Sequence, residues 1–400
     1  MATTDPAQPG AQQTMERLLR LLVQKNGSDL YISAHAQPTM RLHGLCVPAS
    51  SRALGPQDPV QLLAVLIGEQ SAKALRPPHT LQRMVSLQDS GRLRVSVFFQ
   101  RGALAFAARY LPATLPTIGH GQGQLSPALH ALAKAPGGLL LVAGAAGAGK
   151  STTAAALLEC RNTEISGHIL ALEQNTEYLL ASKKSLINQQ QIGADIASWH
   201  SAYETAHTCA ADVVYIGEIN DASSASAALA LAQAGVLCVA TLNATTPADA
   251  LIRFLQHFPE GERHCVQLQL GTALRAVVLQ KLMRTRAGPR AVVCEILAPS
   301  ERISQHLARG ELGELRAIDL SQEAGCQSLA QDMIRLQSNG INFEDPVPEP
   351  ASSTNASAWG NTTFAEVGDS TRAAVLGQAS ASTASTASTA SSPITLSLKS

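Results

Sequence analysis

Ten residues near the middle of the chain, GAAGAGKSTT at 144–153, have the composition and spacing of a loop that binds phosphate. They match the pattern G-x-x-x-x-G-K-S/T at every defined position. Glycines allow backbone N–H groups to converge on a phosphate, and the N-terminus of the following helix adds its partial positive charge. We expect Lys150 to reach the β- and γ-phosphates of ATP and the Ser151 hydroxyl to coordinate Mg²⁺. The predicted nucleotide-binding residues are Gly144, Ala145, Ala146, Gly147, Ala148, Gly149, Lys150, Ser151 and Thr152.

Hydrolysis of a bound triphosphate requires an acidic group near the loop, and two glutamates end apolar runs that are typical of buried strands. Glu218 ends DVVYIGE, after a glycine that leaves room, and it is predicted to orient a water molecule. Glu173 ends HILALE and is predicted as a supporting acid. Ligands of α/β sheets bind at the carboxyl ends of adjacent strands, which favours both candidates. The alternative for either residue is a solvated carboxylate at a strand end.

Arginine, in contrast, is missing from the segment where a phosphate would lie. None occurs in the 91 residues between Arg161 and Arg253, although the chain has 22 arginines. Arginine holds phosphate oxygens in a rigid fork that lysine does not reproduce, and an arginine finger contributes about 10³–10⁵ in rate. Because such groups act mainly on the charge of the transition state, their loss affects hydrolysis more than binding. The pattern therefore predicts a chain that binds ATP–Mg²⁺ and hydrolyses it slowly on its own.

Strand and helix patterns divide the chain into two folded regions. Residues 15–112 combine helical spacing with short alternating strands, including a hairpin around Arg101 and Gly102, which predicts an α+β domain. In 128–340, apolar runs alternate with helical segments before a mostly helical end, which predicts an α/β domain with a parallel sheet. The other segments are predicted as a flexible leader at 1–14, a Pro- and Gly-rich linker at 113–127 and a disordered Pro/Ser/Thr/Ala-rich tail at 341–400.

Composition and charge argue against several partners and locations. The formal net charge is zero, so no basic field favours nucleic acid as the main partner. No apolar run reaches the ~18 residues of a membrane-spanning helix, and the N-terminus lacks the charged and apolar regions of a signal peptide. The seven cysteines are scattered without a C-x-x-C pair, which favours reduced thiols over disulfides or a zinc site. We therefore expect a cytoplasmic chain without membrane insertion.

Four segments of the second region together resemble the secretion ATPases that drive retraction of type IV pili, the PilT and PilU type within the GspE-type superfamily. They are GLLLVAGAAGAGKSTT, GHILALEQNTEY, DVVYIGEIND and VLCVATLNATTPADALIRFLQHFP. GSDLYIS and GRLRVSVFFQRG are similar to the first domain of that family, and LRAVVLQKLMRTRAGPRAVVCEIL is similar to its C-terminal part. The likeness covers about 15–336, and VSVFFQRG together with the C-terminal segment leans toward the PilU type.

The resemblance implies a fold, cofactors and an assembly. Members of the family join a PAS-like N-terminal α+β domain to a RecA-like P-loop ATPase domain, and they form hexameric rings. Their nucleotide, ATP with Mg²⁺, lies between the two domains and near the neighbouring subunit. Arg92, Arg94 and Arg101 of the first domain could therefore compensate for the missing arginines, and Arg94 and Arg101 are predicted phosphate contacts. The implied location is the cytoplasmic side of the inner membrane, at the platform protein of the pilus machine.

The chain departs from the family pattern at positions where the family has a charged or titratable side chain. The family's Ile-Glu-Asp-Pro-Ile-Glu is here Leu-Glu-Gln-Asn-Thr-Glu, so Gln174 replaces the aspartate. Asn243 replaces the histidine of Thr-Leu-His. Family arginines are replaced at Gln190, Ala194, Glu204, Thr208 and Asn220.

Three functions are consistent with this pattern. The first is an accessory ATP-binding subunit that assembles with a better-equipped retraction ATPase in a homo- or hetero-hexamer. The second is a fully active pilus retraction ATPase, which the intact loop and Glu218 favour. The third is a non-hydrolysing scaffold or regulator of the pilus machine. The missing arginines and Asn243 favour the first.

Overall fold

The computed structural model describes residues 10–88, 91–113, 126–288 and 290–344. Most of the predicted linker and nearly all of the predicted tail lie outside these ranges, as do the first nine residues of the predicted leader. Within the described residues, the chain forms two β-sheets, one from its N-terminal part and one from its C-terminal part. No helix in these ranges is both long and apolar enough to cross a bilayer.

The N-terminal part is a six-stranded antiparallel sheet with three helices. Its elements are α1 (Ala11–Gln24), β1 (Asp29–Ser33), β2 (Thr39–Leu42), β3 (Leu45–Pro48), α2 (Asp58–Ile67), α3 (Glu69–Ala74), β4 (Leu81–Leu87), β5 (Gly91–Gln100) and β6 (Ala103–Pro112). The strand order is β3-β2-β1-β6-β5-β4. The core contains the apolar face of α1, whose buried members are Met15, Leu18, Leu19 and Leu22. Their spacing of three and four residues is the pattern that predicted this helix.

The predicted hairpin of the first region is confirmed. Gln100 of β5 lies opposite Ala103 of β6, so a two-residue loop joins the strands. Arg101 and Gly102 in this loop have φ angles of 49° and 76°. Positive φ at both loop positions matches the twist of two-residue hairpins.

The C-terminal part is a seven-stranded sheet with helices on both faces. Its elements are α4 (Pro127–Ala133), β7 (Gly138–Gly144), α5 (Lys150–Glu164), β8 (Gly167–Glu173), β9 (Ser185–Gln191), α6 (Trp199–Thr208), β10 (Val213–Ile216), α7 (Ala222–Gln233), β11 (Leu237–Asn243), α8 (Pro247–Gln256), α9 (Arg263–Ala273), β12 (Leu274–Arg284), β13 (Arg290–Leu297), α10 (Glu301–Arg309) and α11 (Leu329–Ser338). The strand order is β13-β12-β7-β11-β10-β8-β9. Six of these strands are parallel, and β13 pairs antiparallel with β12.

Strand β7 shows how the sheet is buried on both faces. Leu139 and Leu141 belong to the core beneath α6, α7, α8 and α9, whereas Leu140 and Val142 belong to the core beneath α4 and α5. Because successive side chains of a strand point to opposite faces, a strand covered on both sides is apolar throughout. This is why the continuous apolar runs correctly predicted parallel strands.

Two sets of strands were not expected from the sequence. Strand β9, SLINQQQ, forms the free edge of the sheet and carries polar side chains, so it lacked the apolar run by which the inner strands were recognised. The end of the chain was expected to be mostly helical, but β12 and β13 form a long hairpin there that extends the sheet beside β7. The apolar run of β12 is compatible with either a helix or a strand, and only its partner strands decide between them.

Replacing Gly137 with alanine is expected to destabilise the C-terminal sheet by about 1–3 kcal/mol. The new Cβ would lie 2.1 Å from the carbonyl oxygen of Gly235, which is a backbone atom of the turn before β11. The matched control is Gly271→Ala in α9, where a Cβ meets nothing within 4 Å and alanine favours the helix. Thermal unfolding measures both effects. Equal melting temperatures for Gly137→Ala and the unchanged protein would contradict this close approach.

Candidate nucleotide-binding site

A cleft of about 830 Å³ lies between the two sheets, at the carboxyl ends of β7, β8, β10 and β11. The C-terminal sheet contributes the predicted phosphate loop together with Glu173, Glu218 and Asn243. The N-terminal sheet contributes arginines and an aspartate. The cleft therefore brings together groups that lie far apart in the sequence.

The loop between β7 and α5 has the geometry of a phosphate cradle. Gly147 and Gly149 have φ angles of 76° and 88°, in the left-handed region that a side chain rarely adopts. Helix α5 begins directly after Gly149, and no side chain caps its first N–H groups. Uncapped N–H groups at the positive end of a helix are available to a bound anion.

Gln280 of β12 supports this loop from below, and sequence reasoning missed it. Its buried side chain donates from Nε2 to the carbonyl oxygen of Ala148. A Cβ at Gly149 would lie 3.1 Å from that nitrogen, and a Cβ at Gly144 would lie 2.8 Å from the carbonyl oxygen of Gln280. The close approach of the β12 backbone therefore favours glycine at Gly144, and the positive φ of 88° favours it at Gly149. The only signal in the sequence was a polar residue within the apolar run of β12.

Lys150 is held on the loop by three hydrogen bonds, as many as its ammonium group has protons. Nζ donates to the carbonyl oxygens of Gly144 at 3.2 Å and Ala145 at 3.1 Å, and to Oδ1 of Asn243 at 2.7 Å. Burial lowers the pKa of Lys150, and the carboxylates of Glu218 and Glu177 oppose this effect. The ammonium group thus lies within the loop, beside the ends of β10 and β11.

Asn243 connects Lys150 to the predicted catalytic acid. Its Nδ2 donates to Oε1 of Glu218 at 2.5 Å, while its Oδ1 accepts from Lys150. One amide can bridge an ammonium and a carboxylate in this way because it offers both an acceptor and a donor. Unlike the family's histidine at this position, the amide does not titrate.

Two other departures from the family pattern lie next to each other. Nδ2 of Asn220 donates to Oε1 of Gln174 at 3.4 Å. In the family these positions carry an arginine and an aspartate, which are opposite charges, and here they carry two neutral amides. Two neutral amides therefore meet at these positions, and no ion pair forms between them.

Glu173 lies at the end of β8 and is only 6% exposed, so the alternative of a solvated carboxylate is wrong for this residue. Gly217 leaves room for it, because a Cβ there would lie 3.2 Å from Cγ of Glu173. Burial raises the pKa of Glu173 to about 8, although hydrogen bonds from the Glu177 backbone and from Gln189 and the charge of Arg92 oppose the shift. The carboxyl group is consequently protonated in most molecules at neutral pH.

The opposite wall of the cleft carries a row of charges that crosses four adjacent strands. Asp29 of β1 pairs in register with Arg41 of β2 and with Arg109 of β6, and Arg109 in turn faces Arg94 of β5. Asp29 accepts from Arg109 at 2.9 Å and lies 3.8 Å from Arg41, while Arg94 is paired with Glu177 across the cleft. We call Arg41, Asp29, Arg109 and Arg94 the charged row. Two of its guanidinium groups, those of Arg41 and Arg109, share Asp29 of the same sheet, and the third, that of Arg94, has its acidic partner on the other wall.

The two predicted phosphate contacts from the first region lie in different places. Arg94 lines the cleft, whereas Arg101 is exposed at the turn between β5 and β6 and is not part of the lining. Sequence reasoning missed Arg41 and Arg109 of the charged row and also Arg290 of β13, which lines the cleft as well. Nothing in their spacing marked them, because their position depends on which strands are neighbours in the sheet.

The donor set of the cleft fits a nucleoside triphosphate with Mg²⁺. The uncapped start of α5, Lys150 and the guanidinium groups of the charged row suit phosphate oxygens. Ser151 offers a hydroxyl, and Glu218 offers a carboxylate, on the same side of the cleft. These oxygen ligands are the type that Mg²⁺ prefers.

A second group of side chains with metal-ligand chemistry lies outside the cleft, between α4 and α5. Ligand atoms of His130, Cys160 and Glu164 lie within 4.8 Å of one another. Glu164 is already paired with Lys134 at 2.5 Å and with His130 at 2.7 Å, and these partners lower its pKa to about 2. The group is therefore an ion-pair network that joins the two helices.

Glu173→Gln is expected to raise the melting temperature at about pH 8–9 and to leave it nearly unchanged at about pH 5. The pKa of Glu173 is raised from 4.5 to about 8 in the folded protein. Between these values the folded state retains a proton that the unfolded chain releases, so stability falls as pH rises through this window. The amide removes this loss. Exposed Glu260, changed to Gln, is the control, and a parallel pH dependence for Glu173→Gln and the unchanged protein would contradict the assignment.

Comparisons with known proteins agree with this geometry. The profile of the family described as Type II/IV secretion system protein matches residues 106–338. The chain is 33% identical over 333 residues to the type IV pilus ATPase PilU of Pseudomonas aeruginosa, which covers 82% of this chain and 87% of that protein. The crystal structure of the pilus retraction motor PilT with bound ADP is similar with a TM-score of 0.67 and 27% identity, covering 82% of this chain and 93% of that one.

The fold is shared more widely. The ATPase DotB of Legionella pneumophila is similar with a TM-score of 0.71 at 20% identity, covering 85% of this chain and 95% of that one. An N-terminal domain followed by a RecA-like ATPase domain is thus the architecture of this chain. Taken with its phosphate loop, the chain belongs to the type II/IV secretion system protein family, as a homologue of the PilT and PilU ATPases of type IV pilus retraction.

Proposed function

We propose that this chain is an ATP-binding subunit of a type IV pilus retraction machine, and that it acts as an accessory, PilU-like partner with weak hydrolysis of its own. The observation that carries the proposal is the amide of Asn243, which bridges Lys150 and Glu218 beside a complete phosphate loop. The loop supports binding. The neutral amide supports slow hydrolysis, because it adds no positive charge where negative charge develops.

Binding of a triphosphate requires Lys150 to change partners. Its three hydrogen bonds to Gly144, Ala145 and Asn243 must be exchanged for bonds to phosphate oxygens. The uncapped N–H groups of α5 hold the anion during this exchange. After Lys150 leaves, Oδ1 of Asn243 is free while its Nδ2 still holds Glu218. The amide of Asn243 therefore loses its hydrogen bond to Lys150 when nucleotide binds, and it keeps its hydrogen bond to Glu218.

Glu218 is proposed to orient the attacking water, and Glu173 to support it. Glu218 is exposed to the cleft and is held from one side by Asn243, so its second oxygen can accept a proton of water. Glu173 is buried and mostly protonated, so it acts as a hydrogen-bond donor at neutral pH. Mg²⁺, when bound beside Ser151, would neutralise charge on the phosphate oxygens.

A fully active retraction ATPase is the second candidate, and one observation favours it. The charged row places Arg41, Arg94 and Arg109 on the cleft wall that faces the phosphate loop, and Arg290 lies near them. Burial lowers the pKa of Arg290, and the positive charges of Arg41, Arg284 and Arg109 lower it further, while Asp29 opposes the shift. These groups could take over the task of the arginines that are missing at the strand ends.

We further propose that the chain works as part of a homo- or hetero-hexamer with a retraction ATPase. On this proposal the ring acts at the cytoplasmic side of the inner membrane and contacts the platform protein of the pilus machine. The support is the similarity to PilU and PilT, which extends over more than four fifths of the chain.

ATP turnover of the full chain, measured alone and then mixed with a retraction ATPase that has all family motifs, tests the accessory function. Alone, we expect a rate at least about 10²-fold below that of the partner, because a single arginine finger contributes about 10³–10⁵ in rate and the charged row replaces only part of that contribution. In the mixture, we expect more turnover than the sum of the two. Lys150→Ala should remove this gain because it removes nucleotide binding.

The control for this experiment is Lys183→Ala, an exposed lysine that pairs with Glu159 and lies away from the cleft. Motor-like turnover of the chain alone that is abolished by Glu218→Gln would contradict the accessory function and favour the active enzyme. If the chain binds no nucleotide at all, the remaining candidate function is that of a non-hydrolysing scaffold.

The pair Gln174 and Asn220 provides a second test. Gln174→Asp and Asn220→Arg together are expected to be more stable than the sum of the single changes predicts, with a coupling of about 0.2–1 kcal/mol. Each single change introduces one unpaired charge at the cleft, and the double change forms an ion pair. Chemical denaturation of the four proteins measures the coupling, and the neutral double change Gln174→Asn with Asn220→Gln is the control. Strict additivity would show that these side chains do not interact.

A further inference from the structure

The peptide between Ala148 and Gly149 in the phosphate loop is held by a side chain from a strand that is distant in the sequence. The peptide before it is held within the loop, because the N–H of Ala148 donates to the carbonyl oxygen of Ala145 at 3.0 Å. The peptide after it is held by α5, because the carbonyl oxygen of Gly149 accepts from the N–H of Thr153 at 3.0 Å. Between these two, the carbonyl oxygen of Ala148 accepts from Nε2 of Gln280 in β12.

Glycine at position 149 makes two orientations of this peptide accessible. The φ angle of Gly149 is 88°, and glycine adopts positive and negative φ about equally well. A rotation of the peptide plane that changes the sign of this angle therefore meets little steric resistance at Gly149. The carbonyl and the N–H of a trans peptide point in opposite directions. Such a rotation would therefore exchange the group that faces Gln280 with the group that faces away from it.

The hydrogen bond from Gln280 selects one of these orientations. Ala148 is buried, whereas Gly149 lines the cleft. With the carbonyl oxygen of Ala148 directed to β12, the N–H of Gly149 points away from that strand. No oxygen atom among the described residues accepts a hydrogen bond from this N–H. The group is therefore available to a ligand in the cleft.

The other end of the same amide indicates that the donor, and not the bulk of the side chain, explains a glutamine at this position. Gln280 is fully buried among the apolar residues of β12. Its Oε1 has no hydrogen-bond partner within the part of the chain that the structure describes. An unpaired buried oxygen destabilises a fold, and an apolar side chain of similar length would fill the space without this cost. The use of a glutamine is therefore explained by its Nε2.

Close approach of two backbones brings Gln280 within reach of the loop. Leu279 of β12 pairs in parallel register with Ala143 of β7, so Gln280 follows beside Gly144 at the start of the loop. A Cβ at Gly144 would lie 2.8 Å from the carbonyl oxygen of Gln280, and a Cβ at Gly149 would lie 3.1 Å from its Nε2. The loop therefore packs directly on the amide of Gln280.

We propose that Gln280 is a positioning residue that orients the N–H of Gly149 toward the phosphate groups of a bound nucleotide. The inference rests on the proposed nucleotide binding and deepens it. Gln280 is not part of the cleft lining, so it acts through the peptide between Ala148 and Gly149. An N–H binds a phosphate oxygen, whereas a carbonyl oxygen turned to the cleft would repel it. Because the peptide is fixed before the nucleotide arrives, binding does not include the cost of ordering it.

The test compares binding of a fluorescent ADP analogue and of the corresponding adenosine analogue to the full chain and to Gln280→Met. Methionine keeps the length of the side chain and removes the donor. Affinity for the ADP analogue is expected to fall by about 5–50-fold, because a hydrogen bond to a charged group is weakened. Affinity for the adenosine analogue, which has no phosphate, is expected to stay within about twofold. An equal loss for both ligands would indicate a distorted cleft and would overturn the inference.

Gln327→Met is the matched control. Gln327 also donates from Nε2 to a backbone carbonyl, that of Cys294 at 3.0 Å, and it is not part of the cleft lining. This variant is expected to bind both ligands as the unchanged protein does. If it loses as much affinity for the ADP analogue as Gln280→Met does, the effect is not specific to the phosphate loop and the inference is overturned.

The outcomes also separate this inference from the proposed function. If the unchanged protein binds no ADP analogue, the proposed function fails and the inference fails with it. If the unchanged protein binds the analogue and Gln280→Met binds it equally well, only the inference fails. Gln280→Leu, which matches the preceding residue of β12, serves as a second variant. If neither variant folds, the glutamine is required by the fold itself and the positioning function is overturned.

Discussion

The ammonium group of Lys150 is the point on which the candidate site depends. It is a partly buried charge, and its three hydrogen bonds join the phosphate loop to Asn243 and, through Asn243, to Glu218. This contact exists because β7, β11 and β10 are adjacent and parallel, so their carboxyl ends meet at one edge of the sheet. A different order of these three strands would separate the lysine from the acid. The function of the cleft therefore rests on the topology of the C-terminal sheet.

The two walls of the cleft differ in how they carry positive charge. The C-terminal part contributes the cations Lys150 and Arg290 to the lining, and the neutral amides of Gln174 and Asn243 stand where the family pattern has an aspartate and a histidine. On the N-terminal wall, Arg41 and Arg109 lie in cross-strand register with Asp29, and Arg94 lies opposite Arg109. Coulomb attraction weakens with distance. The attraction between these arginines and a bound phosphate therefore depends on the position of the N-terminal sheet.

Beneath the loop, buried polar side chains replace the apolar packing that the strands would otherwise have. Gln280 donates a hydrogen bond to the loop backbone, Tyr215 lies buried in β10 and lines the cleft, and Glu173 occupies the space beside Gly217. Burying such groups costs free energy unless each has a partner. Their presence within apolar strands is the kind of local inconsistency that is expected at functional sites. The same layer explains why stability is expected to fall as Glu173 ionises.

The sequence by itself determined the phosphate loop, the inner parallel strands and the hairpin at Arg101, because each has a local signature of glycine spacing, apolar runs or turn residues. It also revealed the arginine-free segment and placed Glu173 and Glu218 at strand ends. Only the tertiary structure decided that Asn243 bridges Lys150 and Glu218, that Gln174 meets Asn220, and that β12 forms a strand beside β7. It alone revealed the charged row and the hydrogen bond from Gln280 to the phosphate loop. These are contacts between residues distant in sequence, and spacing along one chain segment carries no information about which strands become neighbours.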